Sequence, residues 1–121
     1  ILVAGNPRAG LGPRALYAVG GRLATLAAVA AVEVFDGASN TWSAAASTGM
    51  ARRFFGAALL GGKLYVVGGM GQDRASLATV EAFDPQAGTW AAVAPMIEVR
   101  SILAVAAVGG KLYGIGGQCG G

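Results

Sequence analysis

Short apolar runs alternate with glycine-rich and polar breaks along the whole chain, and one run returns at a fixed interval. Residues 16–21 read Leu-Tyr-Ala-Val-Gly-Gly, residues 64–69 Leu-Tyr-Val-Val-Gly-Gly and residues 112–117 Leu-Tyr-Gly-Ile-Gly-Gly, 48 residues apart each time. Laying residues 16–63 over 64–111 without a gap gives 20 identities in 48 positions. A unit of this length carries an apolar face it cannot cover alone, so its stability comes from stacking on neighbours of the same kind. The chain reads as an array.

Within one period the pattern predicts four short strands, over residues 54–60, 63–67, 79–84 and 89–93. Gly61-Gly62 between two apolar runs is a two-residue hairpin signal, because such turns need positive φ and glycine takes it without a Cβ penalty. Asp84-Pro85-Gln86-Ala87-Gly88 is a longer turn that places Trp90 on the fourth strand, and Asp36-Gly37-Ala38-Ser39-Asn40 does the same before Trp42. Leu23, Leu26, Ala27, Ala30 and Ala31 favour a helix by propensity. Register opposes it: Val32-Glu33-Val34-Phe35-Asp36 superposes on Val80-Glu81-Ala82-Phe83-Asp84 and alternates as a half-buried strand does. Residues 31–36 are therefore expected as strand and 22–30 as a connecting loop.

Composition narrows the chemistry. The apolar share is 55%, but Gly, Pro, Asn and Asp interrupt it before any run reaches the roughly 18 to 20 residues that cross a bilayer, so no membrane partner is expected. There is neither an initiator Met nor a basic-then-apolar leader, and the expectation is a chain that begins within a longer protein. A single cysteine and no histidine leave no disulfide framework and no plausible zinc or copper ligand set, so neither metal nor cofactor is expected. The net charge of +3 is spread over scattered residues, with only Arg52-Arg53 adjacent, which argues against nucleic acid.

Proton transfer without histidine falls to six carboxylates. Glu33, Asp36, Glu81 and Asp84 belong to the repeat, and Asp73 and Glu98 lie in different loops with no supporting pattern for a glycosidase pair. Gly10-Leu11-Gly12-Pro13-Arg14-Ala15 has the G-x-G-x-x-A form of a dinucleotide fingerprint but leads into a strand instead of a helix. Cys119 is an ordinary loop thiol without a base. No catalytic residue is expected.

The order of these elements resembles the kelch repeats. That signature has a Gly-Gly doublet ending the second strand, then Glu and an aromatic on the third, a Trp on the fourth and an Arg opening the next repeat. Here the doublets are Gly20-Gly21, Gly68-Gly69 and Gly116-Gly117, followed by Glu33 and Phe35 or Glu81 and Phe83, then Trp42 or Trp90, then Arg52 or Arg100. The match covers residues 14–117, with phenylalanine where the family usually has tyrosine on the third strand. The resemblance implies an all-β fold, a partial kelch-type β-propeller of about two and a half four-stranded antiparallel blades. Residues 1–45 would form the first blade, 46–93 the second and 94–121 the start of a third, with residues 1–5 as the first strand of the first blade and 6–13 shifting it out of register. Glu33, Glu81, Arg52 and Arg100, as charges inside apolar patterns, are expected to pair with each other or with turn backbone.

Kelch-like propellers bind other proteins, and the resemblance implies a scaffold that presents loops. Two loop sets would gather on one face: those between strands two and three, here residues 70–76 and 22–28, and those linking blades, here 47–55 and 94–102. Arg53, Phe54, Gln72, Asp73, Arg74, Glu98 and Ser101 differ between copies and are the candidate partner contacts. Phe55 is expected in the core. The resemblance puts a substrate-recognition domain of a cytoplasmic, cullin-type ubiquitin-ligase adaptor of the BTB-containing kind first. An actin or cytoskeletal scaffold is the alternative, and a galactose-oxidase-like or specifier-like enzyme the alternative of another class. The rest of the propeller would come from the same parent chain or, failing that, from self-association.

Overall fold

The computed structural model describes residues 2–5, 15–20, 30–37 and 39–119. Gly21, residues 22–29, where a connecting loop is expected, and residues 6–14 lie outside the described residues. Ten strands follow one another: β1 (Leu2–Gly5), β2 (Ala15–Val19), β3 (Val32–Asp36), β4 (Thr41–Ala45), β5 (Gly56–Leu60), β6 (Lys63–Val67), β7 (Val80–Asp84), β8 (Thr89–Val93), β9 (Ala104–Val108) and β10 (Lys111–Ile115). They form three antiparallel sheets ordered β1-β2-β3-β4, β5-β6-β7-β8 and β9-β10. The first strand of each sheet packs beside the first strand of the next, β1 beside β5 and β5 beside β9. Two complete blades and the inner half of a third thus stand around one axis, as in part of a β-propeller.

Turn chemistry sets the hairpins. Gly61 and Gly62 take φ of 58° and 79° between β5 and β6, and Gly109 and Gly110 repeat this with 58° and 78° between β9 and β10. Both residues of such a turn need the left-handed region, which glycine enters without steric cost. The β7–β8 turn closes with Gly88 N donating to Asp84 O, and the β3–β4 turn closes with Asn40 N donating to Asp36 O, both at 2.8 Å. Asn40 adopts φ of 57° there, a conformation asparagine tolerates better than most residues.

The first blade departs from the 48-residue period. Gly5 faces Ala15 at the end of its first hairpin where Leu60 faces Lys63 in the second blade, so nine residues connect β1 to β2 instead of two. Residues 2–5 do supply the first strand, and the insertion between them and β2 displaces it in sequence while leaving its place in the sheet unchanged.

Strand one begins later than the apolar pattern predicts. β5 starts at Gly56 and β9 at Ala104, because Phe54 and Ile102 sit at φ of 56° and 54° and break the extended run. Ile102 N donates to Phe54 O at 2.7 Å, so this kink ties one blade entry to the next. Gly56 is required in turn by the approach of the third sheet, since a Cβ there would collide with the Val105 side chain.

The core lies between blades. Tyr17, Val19 and Val32 of the first blade meet Phe55, Leu64, Val66 and Phe83 of the second, all buried. The Tyr17 and Phe83 rings pack edge-on with centroids 6.0 Å apart. Each tryptophan lies opposite the third-strand aromatic of its own blade, Phe35 facing Trp42 and Phe83 facing Trp90, with ring centroids 5.3 and 5.2 Å apart. Trp90 also reaches the preceding blade, its Nε1 donating to Ala46 O at 2.7 Å. Trp42 is 46% exposed. The difference is one of position, since Trp90 has a blade in front of it and no described sheet stands in front of Trp42.

Candidate partner-binding face

The repeat's charged residues form a latch behind this face. Arg52 is 2% exposed, and one of its guanidinium nitrogens donates to Gly68 O at 2.9 Å and Thr79 O at 3.1 Å, while the other meets Glu81 Oε2 at 2.8 Å. The second carboxylate oxygen of Glu81 accepts from Gly49 N, so a single ion pair fastens the blade-linking segment to β7 and to the end of β6. A buried carboxylate is tolerable only with this degree of pairing. Arg100 repeats half of the arrangement, its Nη1 donating to Gly116 O at 3.0 Å. Glu33 is exposed and, among the described residues, meets no arginine.

The glycine doublet lets the linkers close on the loop between strands two and three. Gly68 N donates to Thr79 O and Gly69 N to Arg100 O, at 2.9 and 2.8 Å. A Cβ on Gly68 would lie 2.5 Å from Arg100 O, and one on Gly69 would lie 2.7 Å from Arg53 O. Both glycines also hold positive φ, 63° and 93°, so side chains are excluded twice over. Arg53 pairs with Met70, Met70 with Ser76 and Ser101 with Gln118 as short antiparallel bridges, and Met96 N and Arg100 N donate to Ala78 O and Leu77 O. Among the described residues, the loop over 70–76 and the linkers over 47–55 and 94–102 therefore gather at one end of the blades, while the expected counterpart over 22–28 lies outside the described residues.

Within that cluster the candidate contacts separate. Gln72, Asp73 and Arg74 occupy an exposed tip, where Asp73 Oδ1 accepts from Ala75 N at 3.1 Å and Arg74 N donates to Gly71 O at 3.1 Å. Glu98 is exposed on the neighbouring linker, and Phe54 is 40% exposed. Arg53 and Ser101 are not on the surface. Arg53 is buried to 7% exposure, its guanidinium carbon 5.5 Å from the Phe54 ring centroid and its Nη2 3.7 Å from Met70 Sδ. Ser101 is fully buried, its Oγ 3.1 Å from that of Ser76. Both are drawn inward by the bridges to the neighbouring loop, which a comparison of aligned copies does not reveal. Phe55 is buried, as expected of a core residue.

The structure also adds apolar residues to this region. Ile102 is 54% exposed and Ile97 and Met50 are exposed on the two linkers. Ile102 stands 48 residues after Phe54 with the same left-handed backbone, so the repeat itself carried the signal. Exposed apolar side chains set among Gln72, Asp73, Arg74 and Glu98 give the mixed character of a protein-binding surface.

Residues 51–97 match the family model of the kelch motif. This span contains the latch arginine, the doublet at 68 and 69, Glu81, Phe83 and Trp90, and so covers the second blade with part of its entry and exit linkers. Among curated proteins, none matches the chain.

Proposed function

We propose that the chain, whose residues 51–97 match the kelch motif, recognises a protein partner through the loop face formed by residues 47–55, 70–76 and 94–102, as a non-catalytic part of a larger propeller. The observation that carries this reading is the division of labour within each loop. Buried residues, Arg52, Arg53 and Ser101, hold the loops against one another, while Phe54, Gln72, Asp73, Arg74, Glu98 and Ile102 are left exposed on a rigid base. Loops fixed by a β scaffold and differing from blade to blade suit recognition. At a finer level we propose a cytoplasmic substrate receptor for a cullin-type ubiquitin ligase, in which this face selects the protein to be modified.

The test uses the intact parent protein with photo-crosslinkers at Phe54 and Gln72. A variant combining Gln72→Ala, Asp73→Ala and Arg74→Ala should keep the unfolding midpoint and lose the crosslinked partner. A cullin subunit in the same purified complex would bear out the ligase role, and its reproducible absence would remove that role while leaving partner binding standing. A crosslinked partner retained by the triple variant and by Phe54→Ala would overturn the assignment of the face.

A further inference from the structure

Among the described residues, four other than glycine hold positive φ, and two of these stand at blade entries, one repeat apart. Phe54 and Ile102 take φ of 56° and 54°, where an L side chain crowds its own backbone and a β-branched one does so most. Glycine enters this region without that cost, and asparagine at a lower one, as Asn40 does in the β3–β4 turn. Each entry nonetheless carries a large apolar residue, and neither is drawn into the core. Phe54 is 40% exposed and Ile102 54%, whereas the following Phe55 is buried. Phe54 keeps this exposure with the entry of the next blade beside it, since Ile102 N donates to Phe54 O at 2.7 Å. Buried Arg53 backs the ring, its guanidinium carbon 5.5 Å from the centroid. Strain and apolar exposure both act against the fold by itself. Where successive repeats keep both, a contact outside the chain is what offsets them.

We propose that Phe54 and Ile102 form an apolar anchor at the inner rim of the loop face, against which a partner protein seats a bulky apolar side chain carried on an extended segment. This rests on the loop-face reading and gives that face its ligand chemistry. The first strands of successive blades pack beside one another around the axis, so their entries line the inner rim. The loop bridged to Arg53 carries Asp73 and Arg74, and the linker before Ile102 carries Glu98. Charges of both signs there select neither a strongly acidic nor a strongly basic partner, which leaves the apolar pair to choose it. An apolar centre ringed by polar groups is where interface energy concentrates. The backbone holds both side chains in place before the partner arrives, which lowers the ordering cost of binding.

The probe is a library of random linear peptides displayed on phage and panned against the intact parent protein. Selected peptides should share a leucine or an aromatic residue. They should lose about tenfold or more in affinity for Phe54→Gly and for Ile102→Gly, and keep it for Phe54→Leu and Ile102→Leu. Urea denaturation of the same variants reads the strain. At an ordinary φ alanine stabilises more than glycine, and at positive φ the order inverts. Phe54→Gly and Ile102→Gly should therefore unfold at higher urea than Phe54→Ala and Ile102→Ala, although all four lose the peptide. Four results would each overturn the proposal: alanine variants as stable as the glycine ones, peptides that keep their affinity for both glycine variants, peptides united by charge with no shared apolar residue, or a library that yields no binder. Peptides that need Gln72, Asp73 and Arg74 but neither Phe54 nor Ile102 remove the anchor and leave the loop face standing. Peptides indifferent to all five residues remove both.

Discussion

Arg52 is the residue on which most of the second blade's linker depends. It reaches two carbonyls and one carboxylate from a position 2% exposed, and its geometry uses both terminal nitrogens. Replacing it by Met preserves the bulk but leaves Glu81 buried with only the Gly49 amide for company. Breaking a buried pair in this way costs roughly 3 to 5 kcal/mol, so Arg52→Met should lower the urea midpoint far more than any exposed substitution. Arg52→Lys should recover little, because a single ammonium cannot reproduce the planar fork that spans Gly68 O and Glu81. The neighbouring arginines make a sharper comparison. Arg74→Ala on the exposed tip should leave stability within about 0.5 kcal/mol, whereas Arg53→Ala removes a buried side chain packed on Phe54 and Met70 and should cost on the order of 1 to 3 kcal/mol. In sequence the two look alike, each an arginine in a variable loop. Equal urea midpoints for the two variants would count against the burial of Arg53. Ser101 is the same kind of case: it is buried in a backbone bridge with Gln118 and against a serine 25 residues away on another loop, which no local pattern displays.

At the level of the strand, the 48-residue period carried most of the information. Superposing the copies predicts β3 at residues where propensity favours a helix, and the strand runs Val32–Asp36. The glycine pairs mark the hairpins and the Asp-to-Gly and Asp-to-Asn turns mark the outer loops, because these positions demand positive φ wherever the blade sits. The start of strand one was not legible. Phe54 and Ile102 read as ordinary strand residues, and the structure holds both in the left-handed region, where Ile102 N donates to Phe54 O across the linkers of adjacent blades. Nor does the equivalence of Trp42 and Trp90 in sequence extend to their burial, since a tryptophan on the fourth strand is covered only by the blade in front. Trp90→Ala should therefore destabilise by about 2 to 3 kcal/mol, near the lower end for emptied aromatic sites since Trp90 is only half-buried. Trp42→Ala should cost less than about 1 kcal/mol in the same denaturation experiment. Trp90→Phe separates the two contributions of the indole. It keeps a ring against Phe83 and loses the bond to Ala46 O, for an expected cost of roughly 1 kcal/mol.

Across the whole molecule, stability falls from the interface between the two complete blades toward the half-blade. Tyr17, Val19 and Val32 cover one side of that interface and Leu64, Val66 and Phe83 the other, so β6 and β7 are held by strands on both flanks and by an apolar layer in front. The β9–β10 hairpin has one paired edge and an apolar face that is only partly covered. Two-stranded sheets are marginal in water without further support. What supports this one is the packing of β9 on β5 and the bonds that join its linker to the second blade, Gly69 N to Arg100 O and Ile102 N to Phe54 O. Native-state hydrogen exchange should therefore rank the amides in three tiers. Those of β6 and β7 should exchange only through global unfolding, those of β9 that face β10 should exchange faster through local opening, and the outward amides of β10 should exchange near the rate of an unprotected chain. The spread follows from how many neighbours each strand has, since the local sequences of β6 and β10 are nearly the same, Lys-Leu-Tyr-Val-Val against Lys-Leu-Tyr-Gly-Ile. Equal protection of β6 and β10 in the monomer would mean that one cooperative unit spans all three sheets, and that the half-blade draws its stability from something other than the layer in front of it.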